Sequence, residues 1–136
     1  MGTKLLACVF LLFALACKEP SASEQMDSAV SWLGTAGMAA EAWLRHGSPD
    51  KYTKQTLELS HDSLLDIGSA LFKSLPAGID SATVNSALTR SSAHIALMAQ
   101  LVEQKDAPQF RSLLDSLYAD ERAVRRLADN VDARAK

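Results

Sequence analysis

Three side chains of chemical interest lie on or beside otherwise apolar helical stripes: His61, His94 and Glu121. A neutral imidazole ring is a common ligand of metal ions and of haem iron. If the chain turns back at residues 77–78, His61 and His94 stand at about the same height on neighbouring helices, and a further turn sets Tyr118 beside His94. We therefore predict a polar layer at mid-height formed by His61, His94, Tyr118 and Glu121.

This layer has two interpretations, a hydrogen-bonded structural layer and a ligand site for metal or haem. Glu58 and His61 form one E-x-x-H motif, and in this the chain partly resembles the ferritin-like di-metal bundles, which carry two such motifs. The second motif is missing, because the fourth helix has Asp115 and Tyr118 at that spacing. We expect the structural layer and no cofactor. A metal- or haem-binding carrier or sensor is the alternative.

Other catalytic signatures are absent from the sequence. It contains no G-x-S-x-G, no glycine-rich phosphate loop, no H-E-x-x-H and no C-x-x-C-H. The formal net charge is −2, and no basic patch with interleaved aromatic residues suggests nucleic acid. We therefore predict that the protein is not an enzyme and has no nucleic-acid partner.

The elements that must position these residues are four amphipathic helices, each opened by a capping signal. Short links between long helices favour antiparallel neighbours. Residues 21–136 are thus predicted to form one all-α domain, an up-down-up-down antiparallel four-helix bundle. Leu65 and Phe72 are placed on the inward stripe of the second helix, and Leu117 on that of the fourth. The predicted caps are Ser21, Ser48, Asp80 and Asp106.

The first helix carries both tryptophans of the chain on one face. Trp32 and Trp43 are about three turns apart, with Ala36 and Ala39 between them. Two large aromatic rings around a floor of small residues could receive a helix of a partner protein. Alternatively, both rings close over the core and direct their indole N–H groups to water.

The N-terminal stretch is typical of a secretory signal. A short basic segment precedes an apolar run over residues 5–16, which is shorter than the ~20 residues that span a bilayer. The run ends at Phe13-Ala14-Leu15-Ala16-Cys17 and resembles the lipobox of bacterial lipoproteins, in which the cysteine is acylated and becomes the first mature residue. Residues 1–16 would then be the signal peptide and residues 17–20 the lipidated cysteine and a short tether. An ordinary signal peptide cut near Ala16 is the alternative.

Cysteine usage agrees with the lipoprotein resemblance. The two cysteines are Cys8, within the signal, and Cys17, so the exported domain has none for a disulfide. Lys18 after the cysteine implies, by the sorting preference of enteric lipoproteins, an outer-membrane anchor facing the periplasm. In size and anchoring the chain is similar to secretion-system pilotins and periplasmic immunity proteins. We therefore expect a membrane-anchored, non-enzymatic lipoprotein that binds another envelope protein.

Overall fold

The computed structural model describes residues 18–136, and every regular element in that range is a helix. The all-α prediction is confirmed. The predicted signal peptide and Cys17 lie outside the described residues. The helices are α1 (Ala22–Leu44), α2 (Asp50–Leu71), α3 (Ser81–Gln104) and α4 (Ala107–Ala135).

Side-chain caps begin three of the four helices, as predicted. At α1 the Ser21 hydroxyl accepts from the Glu24 backbone N–H at 3.2 Å, and the Glu24 carboxylate accepts from the Ser21 N–H at 2.8 Å. Asp80 accepts from the Ala82 N–H at the start of α3, and Asp106 accepts in the same way at the start of α4. Each bond satisfies an amide that has no partner within its helix.

The start of α2 differs from the prediction. Pro49, not Ser48, occupies the cap position, and no side chain caps the helix. The Ser48 hydroxyl instead accepts a hydrogen bond from the Thr53 hydroxyl at 2.9 Å, so it is not directed at a backbone amide. Asp50, the first residue of the helix, places its negative charge where the helix dipole is positive.

The four helices pack in a ring. α1 contacts α2, α2 contacts α3, α3 contacts α4, and α4 closes against α1, while α1 and α3 also approach each other across the centre. This pattern is consistent with a four-helix bundle. Within residues 18–136 no helix is both long and apolar enough to cross a membrane. The largest fully buried side chains include Met26, Leu33, Leu57, Leu64, Ile95, Met98, Phe110 and Leu117.

Two residues predicted to face inward do not. Leu65 is 43% exposed and Phe72 is 75% exposed. Leu64 and Leu71, seven residues apart, are buried and hold the inward positions of α2. Because successive helical residues are rotated by about 100°, the side chains that follow them are carried to the flank of the helix. Phe72 also lies just beyond the last residue of α2, where the chain leaves the bundle core.

Candidate functional site

A buried carboxylate joins α3 to α4. Asp120 of α4 is 4% exposed, and each of its two oxygens has one donor from α3. His94 donates from Nδ1 to Oδ2 at 2.6 Å, and Arg90 donates from Nε to Oδ1 at 2.9 Å. Arg90 and His94 are four residues apart and therefore lie on the same face of α3. The three side chains form a clamp, here called the Asp120 clamp, that satisfies a charge otherwise costly to bury.

His61 joins α2 to α3 through one residue. Its Nδ1 lies 2.7 Å from the hydroxyl oxygen of Ser92 and 2.9 Å from the carbonyl oxygen of the same residue. A protonated Nδ1 can donate to the carbonyl, and an unprotonated Nδ1 can accept from the hydroxyl. Ser92 therefore suits either tautomer of the ring, which lets a partly buried histidine keep a partner in both forms.

Tyr118 joins α4 to α1. Its hydroxyl donates to a carboxylate oxygen of Glu41, whose other oxygen accepts from Arg45 at 3.0 Å. Burial, followed by the bond to Glu41 and the negative charges of Glu41 and Glu121, raises the pKa of Tyr118 to about 12. The phenol is therefore a proton donor at any physiological pH. Gly37 makes room for the ring, because a Cβ there would lie 3.3 Å from its Cε1.

The four residues of the predicted polar layer are all half-buried, but they do not form one layer. His61 pairs with Ser92, His94 with Asp120, and Tyr118 with Glu41. Glu121 accepts from Arg125 on its own helix at 2.9 Å. In the part of the chain that the structure describes, no hydrogen bond joins any of the four to another. The positions of the turns predicted that Tyr118 would lie opposite His94 on the neighbouring helix. In the structure, Asp120 lies opposite His94.

Asp120 was missed by sequence reasoning, although its position carried a signal. The apolar residues of α4 recur at spacings of three and four, and Asp120 fills the place between Leu117 and Val124 in that series. A carboxylate in an inward register position predicts a cationic or hydrogen-bonding partner on the facing helix. The turn geometry alone also did not bring the other partners into register, namely the buried Ser92 and the more exposed Arg90 and Glu41.

The described histidines and carboxylates do not form a metal centre. Within residues 18–136 no three side chains from His, Cys, Asp and Glu are grouped so that they could hold one ion. In the Asp120 clamp, the Nδ1 of His94 is engaged with the carboxylate that would have to be its fellow ligand. The arrangement orients side chains across helix seams and fixes the helices relative to one another.

The two tryptophans pack against the core, and the floor predicted between them is closed. Ala36 and Ala39 are both buried. The Trp43 ring lies 4.5 Å from the Phe110 ring, centre to centre, at a tilt of 52°. Its indole N–H donates to Asp50 at 2.7 Å and not to water. These contacts favour the core-closing interpretation, with an aspartate in place of the expected solvent.

Comparison of the chain with protein-family models, with curated protein sequences and with solved structures found no match.

Proposed function

We propose that this protein is a lipid-anchored helical module of a bacterial cell envelope that acts by binding another envelope protein and carries out no catalysis. The observation that carries the proposal is the stretch Phe13-Ala14-Leu15-Ala16-Cys17, which ends a 12-residue apolar run at a cysteine and resembles a lipobox. Acylation of Cys17 would fix the protein to a membrane, since multiple acyl chains suffice for stable anchoring. Lys18 supports the outer membrane, facing the periplasm, as the location.

The tether supports a close approach to that membrane. Residues 18–20 separate Cys17 from the cap of α1, and an extended residue spans at most about 3.5 Å. The Gln25 side chain donates to the Pro20 carbonyl at 3.0 Å, which ties the end of the tether to α1. The end of the domain where α1 begins would therefore rest against the lipid headgroups.

The proposal includes an up-down-up-down order of the helices. In support, Ser23 near the start of α1 bonds to Asp132 near the end of α4 at 3.1 Å, and Glu41 near the end of α1 bonds to Tyr118. Lys54 at the start of α2 likewise pairs with Glu103 at the end of α3. In this order the links at residues 45–49 and 105–106 stand at the end away from the membrane, where a partner protein can reach them.

The anchor is tested with the two cysteines of the chain as a matched pair. Cys17→Ser should move the protein from the membrane fraction to the soluble fraction of the envelope, whereas Cys8→Ser should leave it in the membrane fraction. Mass spectrometry of the mature wild-type protein should show an acylated N-terminal cysteine. An unmodified wild-type mass, or a Cys17→Ser protein that still sediments with membranes, would refute the anchor.

The binding activity is tested separately, by cross-linking in intact cells. A photoreactive residue at Gly47, in the membrane-distal link, should give a discrete cross-linked product with one protein. The same residue at Ser69, an exposed position near the opposite end, is the control and should not give that product. Equal products from both positions would contradict a partner at the distal end.

A further inference from the structure

A cleft of about 380 Å³ lies where the α1–α2 link meets the α3–α4 link. Its lining includes Trp43, Leu44, His46, Lys105 and Arg111. This volume falls at the lower end of the range for small-ligand sites, which is about 300–1,000 Å³. The cleft is separate from the Asp120 clamp and from the residues of the predicted polar layer.

One wall of the cleft is apolar and rigid. Trp43 is held on one side by Phe110, which is fully buried, and its N–H is held by Asp50. Because the only polar atom of the indole is already bonded, the ring can offer a ligand only its apolar surface. Leu44 continues this wall.

The lining also carries two cationic side chains that make no salt bridge among the residues that the structure describes. Lys105 and Arg111 line the cleft together with His46, and within residues 18–136 none of the three makes a salt bridge. The one acidic side chain in the lining is Asp50, which keeps its negative charge when it accepts the Trp43 N–H, so the two cations exceed the one carboxylate. The charge left over is complementary to an anion.

The backbone places two of these side chains on facing links. His46 has φ 58° and Lys105 has φ 56°, and they are the two non-glycine residues with positive φ in the described part of the chain. Glycine or asparagine usually fills such left-handed positions at helix ends. Here each position carries a nitrogen-bearing side chain that lines the cleft.

We propose that this cleft binds a carboxylate attached to an apolar body such as an aromatic ring. The carboxylate lies between Arg111 and Lys105, where the planar guanidinium can donate two parallel hydrogen bonds. The apolar body lies against Trp43 and Leu44. The same chemistry occurs in a free aromatic acid and in the C-terminal residue of a polypeptide, and the ligand series below distinguishes the two. This inference goes beyond the proposed function and does not depend on the lipid anchor.

The test uses full-length protein in detergent with Trp32→Phe, so that Trp43 is the remaining tryptophan. Its fluorescence is followed while N-acetylphenylalanine is added, and the uncharged N-acetylphenylalaninamide serves as the matched ligand control. We expect a saturable change with the acid and binding at least about tenfold weaker with the amide. A third probe, 3-phenylpropionate, has the ring and the carboxylate but lacks the peptide group. If it binds as tightly as N-acetylphenylalanine, the natural ligand is a free aromatic acid. If it binds about tenfold more weakly, the ligand is the C-terminal residue of a polypeptide.

The site is assigned with charge-matched variants. Arg111→Gln should weaken binding of the acid about tenfold, and so should Lys105→Asn, which keeps a residue that tolerates positive φ. Arg122→Gln removes an exposed arginine that is not part of the lining and should leave binding unchanged. Circular dichroism confirms that each variant is folded. Equal binding of acid and amide, no saturable signal, or an equal loss with Arg122→Gln would overturn the proposal.

A repeat with Cys17→Ser separates this site from the anchor. Binding should persist in that variant, so loss of membrane attachment and loss of ligand binding are independent results.

Discussion

The carboxylate of Asp120 in α4 accepts a hydrogen bond from Nδ1 of His94 in α3 at 2.6 Å, and the Asp120 side chain is almost completely buried. Because the carboxylate has little access to solvent, its stability depends on the donors that the protein supplies. Arg90 supplies the second donor, and it is itself about half-exposed. The α3–α4 seam is thus fastened by a buried carboxylate whose two donors, Arg90 and His94, are themselves partly exposed.

Asp120→Ala should therefore destabilise the protein. The substitution leaves the His94 N–H without its acceptor and removes the contacts across the α3–α4 seam, and the loss of such a buried interaction costs about 1–3 kcal/mol. Urea denaturation measures the change in the free energy of unfolding. Asp115→Ala, an exposed aspartate on the same helix, is the control and should change it by less than about 0.5 kcal/mol. Equal effects of the two substitutions would mean that the clamp does not contribute to stability.

Tyr118 should ionise only near pH 12. The folded-state pKa is about 12, above the ordinary value of 10.0, so the unfolded chain releases the proton first as the pH rises. The stabilisation from this group is complete below pH 10 and is lost as the pH rises toward 12. In Tyr52→Phe the remaining tyrosine is Tyr118, and its phenolate absorbance should rise with a midpoint near pH 12. A midpoint near pH 10 in the folded protein would contradict the bond to Glu41 and the partial burial of the ring.

Two glycines of α1 should respond differently to alanine. At Gly34 nothing lies within 4 Å of an added Cβ, so Gly34→Ala should stabilise the helix by about 0.5–1 kcal/mol. At Gly37 the added Cβ would press on the Tyr118 ring at 3.3 Å. Because the bond to Glu41 restrains that ring, Gly37→Ala should stabilise the protein much less than Gly34→Ala does. Thermal melting of the two variants gives the comparison, and equal increases in Tm would show that the ring moves freely.

Leu117→Ala should destabilise the protein more than Phe72→Ala, although phenylalanine is the larger side chain. Leu117 is fully buried in the core, so Leu117→Ala should cost about 2–5 kcal/mol through the cavity that it leaves. Phe72 is mostly exposed, so Phe72→Ala should cost less than about 0.5 kcal/mol despite removing a larger side chain. Chemical denaturation of both variants checks the pair. A large loss for Phe72→Ala would place that ring in the core after all.

Local signals predicted the helices well, because a cap acts on amides only a few residues away. Ser21, Asp80 and Asp106 each bond to the backbone of the first turn that follows them. Ser48 failed as a cap because its hydroxyl found a side-chain partner, Thr53, that a capping pattern does not consider.

The pairs across the seams were harder to predict. The register between two facing helices, when inferred from the loop that joins them, is uncertain by about one helical turn. A register shift of only two residues replaces Tyr118 by Asp120 opposite His94. Side-chain partners thus depend on packing register, which a single sequence specifies only weakly. The cleft beside Trp43 was not predicted for a related reason, since its charged side chains come from two separate links.

The bond between Ser23 and Asp132 spans 109 residues and lies on the seam that closes α1 against α4. A polypeptide is synthesised from its N-terminus, so the apolar face that α1 reserves for α4 stays uncovered until the last helix has been made. A premature stop within α4 would leave both α1 and α3 with bare apolar seams. Quality-control proteases and chaperones recognise such surfaces, so a gene with a stop codon early in α4 should yield little protein.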